Sequence, residues 1–264
     1  MKPPNPRTLP LLLLAIPLFS SAQTLKKTTI IPQTSFQNQS IFSAHWDPNY
    51  PWGTDHNGAA RMAASQIKLD PTNGNGTLTL TAKRVPAGSQ KPASHGGKQI
   101  NIRYLSGTVS AKQHFTVGSV PGSGFDFGGE FRAPVGRGTW PAFWVTGVKG
   151  WPPEIDLAEW KGSGKISFNT FNTSSQVRAR DVAYPSPEKF HSILVQVRAL
   201  ANGKDVSAKF LLDGAVIETQ YGKGFVGQGM YLIIDLQMEG SSGSPGPEQD
   251  TLFQVRNLEV SSYN

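Results

Sequence analysis

Three acids stand within six residues in Glu154-Ile155-Asp156-Leu157-Ala158-Glu159, between Pro153 and Trp160. Paired carboxyl groups can cleave glycosidic bonds, one attacking the sugar and the other moving a proton. On an ordinary surface strand the same acids would simply face water. The spacing favours chemistry. Side chains alternate faces along a strand, so Glu154 and Asp156 share a face while Ile155 and Leu157 point into the core. Glu159 has the wrong parity, and a carboxylate buried unpaired is costly. One extra residue at Leu157–Ala158, a β-bulge, returns it to the face of the other two. The outer glutamates then stand about four strand steps, or ~13 Å, apart at Cα. Side chains leaning inward bring their carboxyls to ~5–6 Å, the separation of a retaining glycosidase. Asp156 between them orients the nucleophile by a shared proton, and like-charge repulsion helps keep the acid protonated. Spacing alone leaves open which glutamate attacks and which protonates.

The neighbouring residues read as a sugar cleft. In Gly138-Thr139-Trp140-Pro141-Ala142-Phe143-Trp144-Val145, Trp140 and Trp144 share one face of a strand whose two faces are both apolar. Either face could be core, and the indole face could equally be a platform for sugar rings. Trp160 takes core parity after the bulge. In the segment 231–239, Leu232, Ile234, Leu236 and Met238 alternate with Tyr231, Asp235, Gln237 and Glu239. That polar row faces either solvent or the hydroxyls of a sugar. His56 and Asn57 fall in a polar loop that borders the same cleft.

These residues need a frame of strands. Thr77 to Thr81 alternates as a half-buried strand should, and Gly107 to Val117, Ile193 to Val197 and Phe253 to Val260 show similar patterns. Asn202-Gly203 and Asp213-Gly214 are tight-turn pairs that tolerate positive φ. The single stretch with helical propensity is Ala59 to Ile67. Gly/Pro/Ser-rich loops at 86–99, 117–124 and 240–248 separate strands, and there is no βαβ alternation. The pattern predicts an all-β fold, a two-sheet antiparallel β-sandwich.

Composition agrees with one large β domain. The chain has 264 residues with 28 Gly and 20 Pro, and only 16% of them are charged. It has no cysteine, which removes thiol chemistry and thiolate metal sites. Lys2 and Arg7, an apolar stretch from Leu9 to Phe19 and Ser20-Ser21-Ala22 read as a signal peptide over 1–22. Residues 23–40 read as an irregular leader, and 41–264 as the domain. A secreted, extracellular protein is therefore expected, monomeric and without a membrane partner. The formal charge is +7. No run of five basic residues occurs, so the excess reads as a solvated surface, with no nucleic-acid partner. The five histidines have no metal-ligand spacing, and no cofactor is implied. The acids at 154, 156 and 159 would suit Ca²⁺, which takes oxygen ligands, but that leaves the adjacent tryptophans unexplained.

From about Phe42 to Val260 the chain resembles glycoside hydrolase family 16. Its Glu154-to-Glu159 segment is similar to that family's bulged E-x-D-x-x-E signature, and Gly138 to Trp144 is almost as specific. Asn57 to Met62, Asp213-Gly214 and 231–239 fit weaker positions. The resemblance implies a concanavalin-like β-jelly roll with its cleft on the concave sheet. It assigns Glu154 as nucleophile, Asp156 as its helper and Glu159 as acid/base. It implies a polysaccharide substrate, β-1,3-glucan or β-1,3-galactan fitting best, with acidic polysaccharides left open by the basic charge. Two departures stand out. Where many relatives carry a cleft histidine, Ser167 to Asn172 offers asparagines, Asn169 among them, and a neutral amide cannot exchange protons. Where many have Asn-Leu-Ala-Val-Gly-Gly, this chain has Asp235-Leu236-Gln237-Met238-Glu239-Gly240, which suggests an altered sugar subsite. The bulged form favours hydrolysis over transglycosylation. A lectin on the same fold is the competing reading, and it would have no need of the triad.

Overall fold

The computed structural model describes Met1 and residues 24–264. The expected signal peptide lies outside the described residues apart from Met1. Two large sheets face each other, as the alternation predicts. The outer sheet runs in the order Ala215–Gly222, Val206–Leu212, His191–Ala199, Gly124–Arg132, Thr251–Tyr263, Thr77–Arg84, Tyr104–Ser106 and Ala60–Met62. The cleft sheet runs Gln176–Ala183, Lys165–Thr173, Glu154–Glu159, Thr139–Gly147, Gly229–Met238, Thr108–Ala111 and Trp46–Asp47. Pairing is antiparallel except between Ala60–Met62 and Tyr104–Ser106, which run parallel.

Alternation fills the space between the sheets. Leu232, Ile234, Leu236 and Met238 are fully buried, as are Phe127, Phe131, Phe143 and Phe253. Trp160 joins them, its ring 5.6 Å from Phe253 and edge-on to it. At the tip of the hairpin formed by Val206–Leu212 and Ala215–Gly222, Asp213 and Gly214 both take positive φ, at 49° and 78°. This is the geometry that a two-residue turn demands. At Asn202-Gly203 only the glycine does so (φ 63°), and Asn202 contributes its side chain, accepting from the backbone N–H of Lys204 and Asp205.

Two expectations fail locally. Residues 23–40 are not an irregular leader. Lys27–Ile31 is a strand paired with Thr251–Tyr263, followed by a 3₁₀ turn at Gln33–Phe36, and the seven-residue helix Gln39–His45 begins there. Asn38 caps that helix, its Oδ1 accepting from Ile41 N at 3.0 Å. Ala59 to Ile67 is helical only in a 3₁₀ turn at Ala64–Gln66, and Ala60–Met62 is a strand: Ala60 and Met62 point into the core while Arg61 turns out to meet Asp55 at 2.7 Å. Period-two burial there overrides helix propensity. Among the described residues no helix is long and apolar enough to cross a membrane.

Candidate active site

The bulge is present where the parity argument requires it. Glu154, Asp156 and Glu159 pair with Thr146, Trp144 and Ala142, so three residues of advance after Asp156 meet only two on the neighbouring strand. The other neighbour repeats the mismatch, with Asp156 opposite Asn169 and Glu159 opposite Ser167. Leu157 and Ala158 are both fully buried, and the three acids all line one cavity of ≈ 1180 Å³.

The strand Thr139–Gly147 supplies the indoles. Its partners Gln237, Asp235 and Ile233 stand opposite Trp140, Ala142 and Trp144. Trp140 and Trp144 both line the cavity, each tied to an acid. Trp140 Nε1 donates to Glu159 Oε1 at 2.6 Å, and Trp144 Nε1 donates to Asp235 Oδ1 at 2.7 Å. Tyr50 donates its hydroxyl to the other Asp235 oxygen at 3.0 Å. Asn57 lines the cavity too, and its Oδ1 is buried without a hydrogen-bond partner.

Three expected sugar contacts are otherwise employed. Asn169 does not line the cavity. It sits behind the acids, its Nδ2 donating to Asp156 Oδ2 at 2.7 Å and to Glu159 Oε2 at 3.0 Å. Gln237 borders the cavity, but its Oε1 accepts from Ala60 N at 2.8 Å and its Nε2 donates to Ala60 O. It tethers the loop that carries Asn57. Glu239 lies beyond the strand end at Met238 with φ 58°, buried against the Arg103 guanidinium and accepting from Gly246 N. The turn takes it out of the alternating row, so it is a structural ion pair and not a cleft residue.

Sequence reasoning missed Lys161, Trp52, Trp151, Phe171 and His95, all of which line the cavity. Lys161 Nζ lies 2.7 Å from Glu159 Oε2. Its parity with Glu159 across the buried Trp160 was a usable signal. Trp52 is 45% exposed and Trp151 48%, unusual for so large an apolar group. Trp52 lies edge-on to Trp144 and Tyr231, on one flank of the triad, and Trp151 lies against Phe171 on the other. His56 stacks on Trp144 at 5.7 Å, and burial, helped by His95, lowers it to about 4. It is therefore neutral at neutral pH.

The acids are held against their tendency to ionise. Burial raises Glu154 to about 7, opposed by hydrogen bonding from Trp151 and reinforced by the charge of Glu159. Burial also raises Asp156 well above the usual carboxylate range, with Glu159 and Glu154 adding to it. Asp235 is raised to about 7 by burial, against the hydrogen bonds from Trp144 and Tyr50. Burial alone would lower Lys161, but Glu159, Asp156 and Asp181 outweigh it and raise the ammonium above its ordinary value. Protons on such a set belong to the group rather than to one residue. Among the described residues no three His, Asp or Glu side chains are grouped to hold a metal ion, the triad included.

No family model matches the chain. It is 48% identical over 232 residues to galactan endo-beta-1,3-galactanase of Flammulina velutipes, a match covering 88% of this chain and 89% of that protein. It is 27% identical to endo-1,3-1,4-beta-glycanase EglC of Rhizobium meliloti over 77% of this chain and 44% of that one. Among solved structures it is similar to the laminarinase catalytic domain of Thermotoga petrophila (TM-score 0.66, 16% identity, 91% of this chain and 99% of that one). It is also similar to porphyranase B of Zobellia galactanivorans (TM-score 0.63, 17% identity, 94% and 97%). At those identities the structural likeness establishes the β-jelly-roll fold alone.

Proposed function

The chain belongs to the glycoside hydrolase family of the Flammulina velutipes galactanase, and we propose on that premise that it is a secreted, retaining endo-β-1,3-galactanase of the family 16 kind. The observation that carries this reading is the bulge, which brings Glu154, Asp156 and Glu159 to one cavity wall. Glu154 attacks the anomeric carbon while Glu159 gives its proton to the glycosidic oxygen, and the bond between them breaks. Water then attacks the glycosyl ester on Glu154, losing its proton to Glu159. Asp156, the acid with two carboxyl neighbours, retains its proton and shares it with Glu154 as charge develops there.

The cavity selects a neutral sugar. Glu154, Asp156, Glu159 and Asp235 line it with Lys161 as the lysine among them, so the chain's net charge of +7 is carried elsewhere. An anionic polysaccharide would meet repulsion there. Trp140, Trp144, Trp52 and Trp151 offer ring faces. Aromatic faces on both flanks of the triad suit a chain that continues past the scissile bond in both directions, as internal cleavage requires. The N-terminal residues 1–22 support secretion.

Reducing-sugar release from β-1,3-galactan, laminarin, mixed-linkage glucan, agarose and carrageenan tests the reading, with Glu154→Gln alongside. Release from β-1,3-galactan that vanishes in the variant, with the β-anomer formed first in NMR spectra, is the expected result. Silence on every substrate with binding retained would leave a lectin.

A further inference from the structure

We propose that Lys161 is a positioning residue of the reaction, acting through Glu159: its ammonium stabilises that carboxylate each time it is left without its proton. The inference rests on the assignment of Glu159 as acid/base. Lys161 follows the strand Glu154–Glu159, and because Trp160 is fully buried, alternation turns Lys161 back to the face of Glu159. Its side chain is 34% exposed, and Nζ stands 2.7 Å from Glu159 Oε2. Asn169 Nδ2 reaches the same oxygen at 3.0 Å, and Trp140 Nε1 holds the other at 2.6 Å. Of these three donors Lys161 is the charged one.

Among the described residues, the charged groups that act on this pair are acids. Glu154 and Asp156 lie on the same strand, Asp181 on Gln176–Ala183, and Asp235 on Gly229–Met238. Asp181 is engaged by Ser167 Oγ at 2.7 Å. The ammonium is thus the cation that offsets charge appearing on Glu159. In the first step the Glu159 proton passes to the glycosidic oxygen, the C–O bond breaks, and the sugar is transferred to Glu154. Glu159 is left as an anion beside Lys161. In the second step Glu159 takes the proton of the attacking water, the water oxygen bonds to the anomeric carbon, and the ester to Glu154 breaks. Lys161 thus offsets the charge that the first step leaves on Glu159 and holds that carboxylate in place for the second. An opposite charge at this range favours the charged form of a carboxyl.

The test is the pH profile of kcat/KM for the wild type, Lys161→Met and Lys161→Arg. Two substrates are used, β-1,3-galactan and the 4-nitrophenyl glycoside of β-1,3-galactobiose. Nitrophenolate leaves without protonation, so its release does not need the acid. The expected result for Lys161→Met on galactan is an alkaline limb moved up by about one pH unit, with kcat/KM lowered on the order of ten-fold at the acidic plateau. On the nitrophenyl glycoside the plateau value changes less than about two-fold, and Lys161→Arg restores the limb. An unmoved limb in Lys161→Met, or an equal loss on both substrates, overturns the proposal and makes Lys161 a structural residue. A wild type inert on both substrates sinks the functional reading itself, and this inference with it.

Discussion

The two sheets treat their outward-facing acids differently. On the outer sheet Asp126 Oδ1 lies 2.5 Å from Arg198 Nη2, and Tyr263 donates to its other oxygen at 2.8 Å. Glu130 Oε2 lies 2.7 Å from Arg256 Nη2, with Asn257 donating to Oε1. Each acid has a guanidinium of its own, and each is partly open to water. On the cleft sheet Glu154, Asp156 and Glu159 share Lys161, Asp235 has only neutral donors in Trp144 and Tyr50, and Asp156, Glu159 and Asp235 are buried. The outer arrangement satisfies charge locally. The cleft arrangement leaves charge unsatisfied in a desolvated place, where it waits for a substrate. Such strain is tolerated because the aromatic core between the sheets offsets it.

The sharpest way to break this contrast is Glu154→Gln. Turnover of β-1,3-galactan should fall by about 10⁴-fold or more, while the circular dichroism and thermal midpoint at pH 8 are preserved or improved. A variant that melts earlier would place Glu154 among the structural acids instead.

Asp156→Asn should lower activity by about 10²-fold and should reveal the cost of the buried charge through its pH dependence. The folded Asp156 titrates above its unfolded value. The folded state therefore binds more protons, and stability falls as pH rises from about 4 through the folded value. Removing the carboxyl should raise the thermal midpoint at pH 8 and leave it nearly unchanged at pH 4. Equal shifts at both pH values would show that the group carries no ionisation cost. The wild type should likewise lose stability between pH 4 and 8, since Glu154 and Asp235 are also raised, each to about 7.

Trp151→Ala should raise KM for long galactan roughly ten-fold, the loss of ~1–3 kcal/mol of apolar contact, and barely alter stability, because the ring is already half exposed. An unchanged KM would remove that flank from the binding surface. The smallest effect belongs to the outer sheet: Asp126→Asn should cost about 1 kcal/mol or less in denaturant titrations and leave kcat/KM untouched.

Most of the frame was legible because period-two alternation is a strong local signal. It showed in the 77–81 and 231–238 segments and in the triad, where the broken parity of Glu159 foretold the bulge. The failures were of two kinds. Residues 27–31 pair with the far end of the chain, and no local pattern reports a partner more than two hundred positions away. Glu239 and Asn169 were read by face, but a side chain's partner decides its role. A positive φ swings Glu239 to Arg103, and Asn169 is taken up by the acids it faces. Lys161 followed the same alternation, so its face was legible in its parity with Glu159 although the contact itself was not.

Of the six tryptophans, Trp46, Trp140, Trp144 and Trp160 are buried, while Trp52 and Trp151 stand half exposed on opposite flanks of the triad. The cleft therefore carries its own optical reporter. A sugar chain laid across it would dry both indoles and shift their fluorescence to the blue, while Trp46 and Trp160, fully buried away from the cavity, emit unchanged. In Glu154→Gln, where the chain stays intact, replacing Trp52 or Trp151 by Phe would let each end be watched by itself as oligosaccharides of increasing length are added.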